Sequence, residues 1–142
     1  MKKFVIAFLL GFFAISLHAQ LFSGNGDQKL QAGFNFYGYG TGIKATYDYG
    51  LSEVFSAGGG AVFYNSGAYY SNFFIFGRGD YHFQELIDLP PGLDLYAGAE
   101  LGLLGKNYFG LGFHAGARYL TGKVYLFAEV GSNAAAGVGF DL

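Results

Sequence analysis

The chain has 142 residues, 52% hydrophobic, 20% aromatic and only 13% charged, with 25 glycines, two prolines and neither cysteine nor tryptophan. That length holds one small domain and excludes a two-domain enzyme, while the lack of cysteine excludes disulfides, thiolate metal ligands and a cysteine nucleophile. A net charge of −2 offers no basic excess to neutralise phosphates, so no nucleic-acid partner is expected.

Met1-Lys2-Lys3 opens the chain, followed by an apolar run from Phe4 to Leu17 broken only by Gly11 and Ser16, and then His18-Ala19-Gln20. A charged start, an apolar core of about 14 residues and a small residue to cut after are the parts of a secretory signal. Residues 1–19 are expected to be that signal, leaving 20–142 as the exported domain. The run is shorter than the ~20 residues a spanning helix needs. Cleavage would leave six basic against ten acidic residues, a net charge of −4.

Beyond residue 20 the longest run of large apolar side chains is Phe73-Phe74-Ile75-Phe76, too short for a transmembrane helix. Period-two alternation recurs instead, interrupted by glycine, asparagine and serine clusters, which is the pattern of antiparallel strands joined by turns. Eight strands are expected, over roughly 28–38, 42–50, 53–64, 72–83, 93–104, 108–120, 123–131 and 134–142. Pro90 and Pro91 fall together in one connection, where a missing N–H harms no ladder.

Ionised groups keep to one side of these strands. Lys44, Thr46 and Asp48 share a parity in the second; Arg78, Asp80 and His82 in the fourth; Asp94, Tyr96 and Glu100 in the fifth; His114 and Arg118 in the sixth; Lys123 and Glu129 in the seventh. Counting only the Lys, Arg, His, Asp and Glu side chains, with the first of each strand taken as free, chance would align the remaining six about once in sixty trials.

A soluble sandwich would carry Lys, Glu, Ser and Thr across its non-core face. Here that face is mostly glycine with single charges, Tyr96, Tyr125 and Phe127. Both faces make sense if the apolar one meets hydrocarbon and the sparse polar one lines a narrow lumen. An unpaired strand edge in lipid costs several kcal/mol per group, so the sheet must close. The expected fold is all-β: a closed eight-stranded antiparallel up-and-down transmembrane β-barrel. Outward aromatics should mark its two rims, with Tyr47, Tyr49, Tyr81, Phe83, Tyr119 and Phe140 at one and Phe36, Phe63, Phe73 and Phe109 at the other.

In these features the chain resembles the OmpA/OmpX-type family of small eight-stranded outer-membrane β-barrel proteins, over essentially residues 28–142. The C-terminal Gly137-Val138-Gly139-Phe140-Asp141-Leu142 is similar to the assembly signal of such barrels, with Gly137, Phe140 and Leu142 at its marked positions and Leu142 where an aromatic is usual. The resemblance implies the cell outer membrane, both termini in the periplasm, outer-membrane lipids as surroundings and the barrel-assembly machinery as a partner during biogenesis. A monomer is expected.

Lys44, Arg78, Glu100, His114 and Glu129 should meet at mid-barrel depth as a polar cluster, paired because isolated buried charges are costly. Contacts are expected between Arg78 and Glu100 and between His114 and Glu129. A second ring of Asp48, Asp80, Asp94, Arg118, Lys123 and Asp141 should lie nearer the rim. Eight strands leave barely enough room for side chains, so the cluster reads as a plug rather than an ion path. Arg78-Gly79-Asp80 matches an adhesion tripeptide but lies within a strand. Ser66 and Ser71, with His114, are candidates for lipid hydrolysis, yet His114 faces inward, so no enzyme activity is expected, and no cofactor or metal. The function expected is a structural or interaction component of the bacterial envelope; the alternatives are a narrow, porin-like conduit for small hydrophobic molecules and, behind it, a lipid-modifying enzyme. Leu101→Arg on the outer face is expected to be costly, and Gly102→Ser on the inner face mild.

Overall fold

The structure, a computed structural model, describes residues 21–67 and 72–142. The expected signal segment, 1–19, lies outside the described residues. Eight strands follow in order: β1 (Gln28–Tyr37), β2 (Gly40–Gly50), β3 (Phe55–Gly67), β4 (Phe73–His82), β5 (Leu93–Leu104), β6 (Tyr108–Thr121), β7 (Val124–Gly131) and β8 (Ala134–Asp141). Each pairs antiparallel with its successor, and β8 returns to β1 through partners running from Lys29 with Asp141 to Tyr37 with Ala134. The fold is a closed eight-stranded antiparallel up-and-down barrel, as the alternation predicts.

Differences from the expected boundaries have local causes. β2 begins at Gly40 and β3 continues to Gly67 because Gly40 and Thr41 pair with Gly67 and Ser66 across a stretch expected to be a connection. Phe83, expected to end the fourth strand, instead opens a 3₁₀ turn over Phe83–Glu85. Tight turns at the strand ends use glycine where the backbone is left-handed, as at Gly105 (φ 65°) and Gly122 (φ 91°).

The interior is where the charges are. Lys29, Gln31 and Asn35 of β1, Lys44, Thr46 and Asp48 of β2, Arg78, Asp80 and His82 of β4, and Glu129 of β7 are all buried, while their strand neighbours of opposite parity face out. The outer surface is correspondingly greasy. Phe34, Ile43, Ile75, Leu101, Leu111, Phe113, Leu126 and Val130 are exposed on it, an inversion of the usual soluble arrangement. Of the aromatics expected at the rims, Phe36, Phe63 and Phe109 are exposed near one end and Tyr47, Tyr49 and Phe140 near the other; Phe73, Tyr81, Phe83 and Tyr119 are half-buried. Phe55, Tyr81 and Phe83 form an edge-to-face ladder at the end carrying both termini, with centroids 5.2 and 5.3 Å apart. Val138, Phe140 and Leu142 all face out near that end, and the Leu142 N–H donates to the Gln28 carbonyl at 3.0 Å.

Candidate functional site in the barrel lumen

Alternation along every strand sends one side-chain row inward, and eight strands bring those rows within bonding distance of each other. The lumen is layered. Towards the end away from the termini, Val62, Tyr64, Phe74, Phe76 and Leu104 pack into an apolar cluster with Tyr39 against it. Next comes the ionic network, and beside it Leu21, Tyr125, Phe127 and Ala135 form a second apolar cluster, with Phe127 the register partner of Arg118 and Ala135 that of Glu129.

Glu129 is the hub of the ionic layer. Its carboxylate accepts from Gln31 Nε2 (3.2 Å), Lys44 Nζ (2.7 Å), Arg78 Nη2 (2.9 Å) and the Tyr96 hydroxyl (2.7 Å), so β1, β2, β4 and β5 all converge on one side chain of β7. Arg78 also reaches Asp80 (2.9 Å) and Asp48 (3.4 Å). His114 lies between two carboxylates, with Nε2 at Asp80 and Nδ1 3.1 Å from Glu100. All five residues expected in the central cluster are therefore buried together, but the partners are exchanged: Arg78 takes Glu129, and His114 takes Glu100. The reason is reach. In register, Arg78 stands opposite Glu100 and Gly98 opposite His114, yet the long guanidinium stem crosses the lumen, leaving Glu100 to the shorter imidazole.

Arg118, fully buried, binds Asp48, approaches Asp94 at 3.4 Å and donates from Nε to Gln31 Oε1 at 3.1 Å. Its guanidinium also stacks over Tyr96, 4.3 Å from the ring centroid, where it is attracted to the π face. Four of the six residues expected in the second ring are buried in the network. Asp48, Asp80, Asp94 and Arg118 belong to it, whereas Lys123 sits exposed in the turn before β7 and Asp141 is half-exposed at the rim, bound to Lys29 at 2.9 Å. Buried charges persist only when paired and hydrogen-bonded, and this network does that across the barrel rather than between neighbouring strands alone.

Three features escape the sequence reading. Lys29 and Gln31 join the network from β1; their alternation with Leu30 and Ala32 was a usable signal. Residues ahead of β1 fold back into the barrel, with Leu21 and Phe22 buried and the Phe22 ring stacked on His82 at 3.6 Å and 4°. Finally, Ser56 Oγ lies 2.8 Å from His82 Nε2, and His82 Nδ1 lies 2.7 Å from Asp94 Oδ1. Of the serines singled out from sequence, Ser71 and the side chain of Ser66 lie outside the described residues, and His114 is occupied by its two carboxylates.

Gly102 also departs from expectation. A Cβ there would lie 1.9 Å from the Ile75 carbonyl oxygen, so Gly102→Ser is a backbone clash between β4 and β5 and not a mild change.

No family model and no curated protein matches the chain. Among solved structures it is similar to one reported as "De novo design of transmembrane beta-barrels", at a TM-score of 0.69 and 18% identity, over 84% of this chain and 98% of that one. The likeness is one of fold.

Proposed function

We propose that this chain is a small outer-membrane β-barrel of the OmpA/OmpX type, its lumen closed by its own side chains, serving as a structural or interaction component of the bacterial envelope. One observation carries the reading: large hydrophobics cover the outside of a closed barrel while Lys44, Arg78, Arg118, Asp80, Glu100 and Glu129 are buried inside it. In water that distribution wastes the apolar surface; in a bilayer it satisfies both phases. Closure supports it independently, since a barrel without an edge leaves no backbone group unpaired in hydrocarbon.

Two apolar clusters packed in the lumen with the ionic network support a plug. Phe74, Phe76 and Tyr64 pack in one, Leu21, Tyr125 and Phe127 in the other, and Arg118 and Glu129 are tied across the lumen. Such a barrel works through its outer surface and short connections, as a monomer among outer-membrane lipids, handed there by the barrel-assembly machinery.

The test is reconstitution of the purified chain into phospholipid vesicles and planar bilayers. The folded protein should show β-rich circular dichroism, heat-modifiable gel migration and no unitary conductance. A helical spectrum, or a protein that stays in the aqueous phase, overturns the membrane reading. Stepwise conductance overturns the plug and favours a narrow channel.

A further inference from the structure

Ser56 opens β3, His82 ends β4 and Asp94 lies at the start of β5, so three adjacent strands bring one side chain each to the terminal end of the lumen. All three are buried. The carboxylate of Asp94 can only accept; in the neutral ring it therefore holds the proton on Nδ1, at 2.7 Å, and leaves Nε2 as the acceptor for the Ser56 hydroxyl at 2.8 Å. Nucleophile to base and base to orienting carboxylate both lie within the 2.6–3.2 Å hydrogen-bond reach that defines an activated serine. Such arrangements are recognised by geometry and role rather than by fold. Asp94 is itself held from the other side by Arg118, which restrains the carboxylate that orients the ring.

A second observation concerns access. The Phe22 ring lies parallel on the His82 imidazole, and Leu21 beside it fills an apolar pocket with Tyr125, Phe127 and Ala135. Both residues precede a turn that is pinned to the barrel independently: Gly26 N–H donates to the Gly50 carbonyl (2.9 Å), Gly50 N–H to the Asp27 carbonyl (2.7 Å), and Asp27 bonds Lys29 (2.6 Å). Gly24, with φ at 91°, lies between that anchor and the buried pair. Ser23, between the buried pair and Gly24, donates to Asp27 from its N–H (3.4 Å) and its hydroxyl (3.0 Å), so swinging residues 21 and 22 out breaks those two bonds and none between the strands. What they vacate is a flat slot against the imidazole and an apolar pocket next to it, a shape for an aromatic or short aliphatic group.

We propose that Ser56, acting through His82 and positioned by Asp94, is a nucleophile that accepts the acyl group of small aryl or short-chain carboxylic esters when Phe22 leaves the imidazole face. Ser56 Oγ bonds the ester carbonyl carbon as its proton passes to His82 Nε2 and the carbonyl π pair moves onto oxygen. Collapse of that adduct breaks the bond to the leaving oxygen, which departs with the proton from Nε2. Water then attacks the acyl-serine by the same route in reverse, releasing the acid and restoring Ser56. The site needs only the folded barrel, so it stands or falls separately from the membrane function proposed above.

The test uses the full chain folded in detergent and p-nitrophenyl acetate as probe, following nitrophenolate release and locating the acetyl group by peptide mass mapping. Acetylation should map to Ser56 and run at least about tenfold faster in Phe22→Ala, and His82→Gln should slow it by the ~10²-fold or more that a general base supplies. If His82→Gln does not reach the folded gel band, Asp94→Asn takes its place. There the His82 proton should move from Nδ1 to Nε2, visible in the ring nitrogen chemical shifts, and the rate should fall with it. Folded Phe22→Ala protein without acetyl at Ser56 overturns the proposal. So does labelling of Ser56 that proceeds equally fast when the relay is broken.

Discussion

Tyr96 and Gly116 face each other directly in the β5–β6 register, and the tyrosine ring occupies the space a side chain at Gly116 would need: an added Cβ would lie 2.5 Å from Tyr96 Cζ. Leaning over the glycine carries the hydroxyl one strand further, to Glu129 of β7, which is itself the register partner of Gly116. The same device recurs at the closure of the barrel. Tyr125 of β7 leans over its partner Gly139 of β8, and its hydroxyl reaches Gln31 of β1, the partner of Gly139 on the other side, at 3.3 Å. Each aromatic thus staples three consecutive strands through a missing side chain.

Gly116→Ala is therefore expected to force the Tyr96 ring off its bed and to cost about 1–3 kcal/mol, as overpacking does. Tyr96→Phe keeps the ring in place and removes only the bond to the buried carboxylate, worth roughly 1.5–3 kcal/mol. Urea unfolding of detergent-folded protein measures both. In the double variant the losses should not add, because displacing the ring already breaks its bond to Glu129.

Gly139→Ala acts on the equivalent staple at the seam between β8 and β1. That seam joins residues as distant in sequence as Lys29 and Asp141, and pairing of such separation is slow to form. The change should lower stability by the same order as Gly116→Ala, and refolding into vesicles should slow more than it does for Gly116→Ala. Equal refolding rates would show that closure is not the slow step.

Much of this was legible in the residues. Period-two alternation predicted eight strands, their order and the inward rows, because strand parity is a local property. The central cluster of Lys44, Arg78, Glu100, His114 and Glu129 followed from the same parity. What alternation could not supply is the reach of a flexible side chain across a lumen: Arg78 bypasses its register partner Glu100 for Glu129, and only a closed barrel brings them within 2.9 Å. Phe22 was illegible for a different reason. It belongs to no strand, and its burial depends on the stacking surface that His82 offers.

Removing the hub should be the most damaging single change among the lumen charges. Glu129→Gln keeps shape but leaves Lys44 without its anion and Arg78 with only Asp80 and Asp48. Breaking a buried pair from one side costs about 3–5 kcal/mol. Lys44→Met should cost less, because Glu129 keeps its bonds from Arg78, Tyr96 and Gln31. The heat needed to shift the folded gel band ranks the two variants directly, and the opposite ranking would remove Glu129 from the centre of the network.

The outer surface gives the sharpest contrast between lipid and water. Leu101 is 48% exposed in β5 and Leu51 57% exposed in the connection after β2. In a bilayer, arginine within the apolar belt costs about 2–4 kcal/mol, and near the interface about 0–1 kcal/mol. Leu101→Arg should therefore destabilise the vesicle-embedded barrel far more than Leu51→Arg. For a barrel bathed in water both are exposed surface changes, within about 0.5 kcal/mol of neutral. Unfolding titrations of the two variants in phospholipid vesicles decide the matter: a difference of at least about 1.4 kcal/mol, a tenfold change in the folding equilibrium, places Leu101 in hydrocarbon, and matched values place both residues in water.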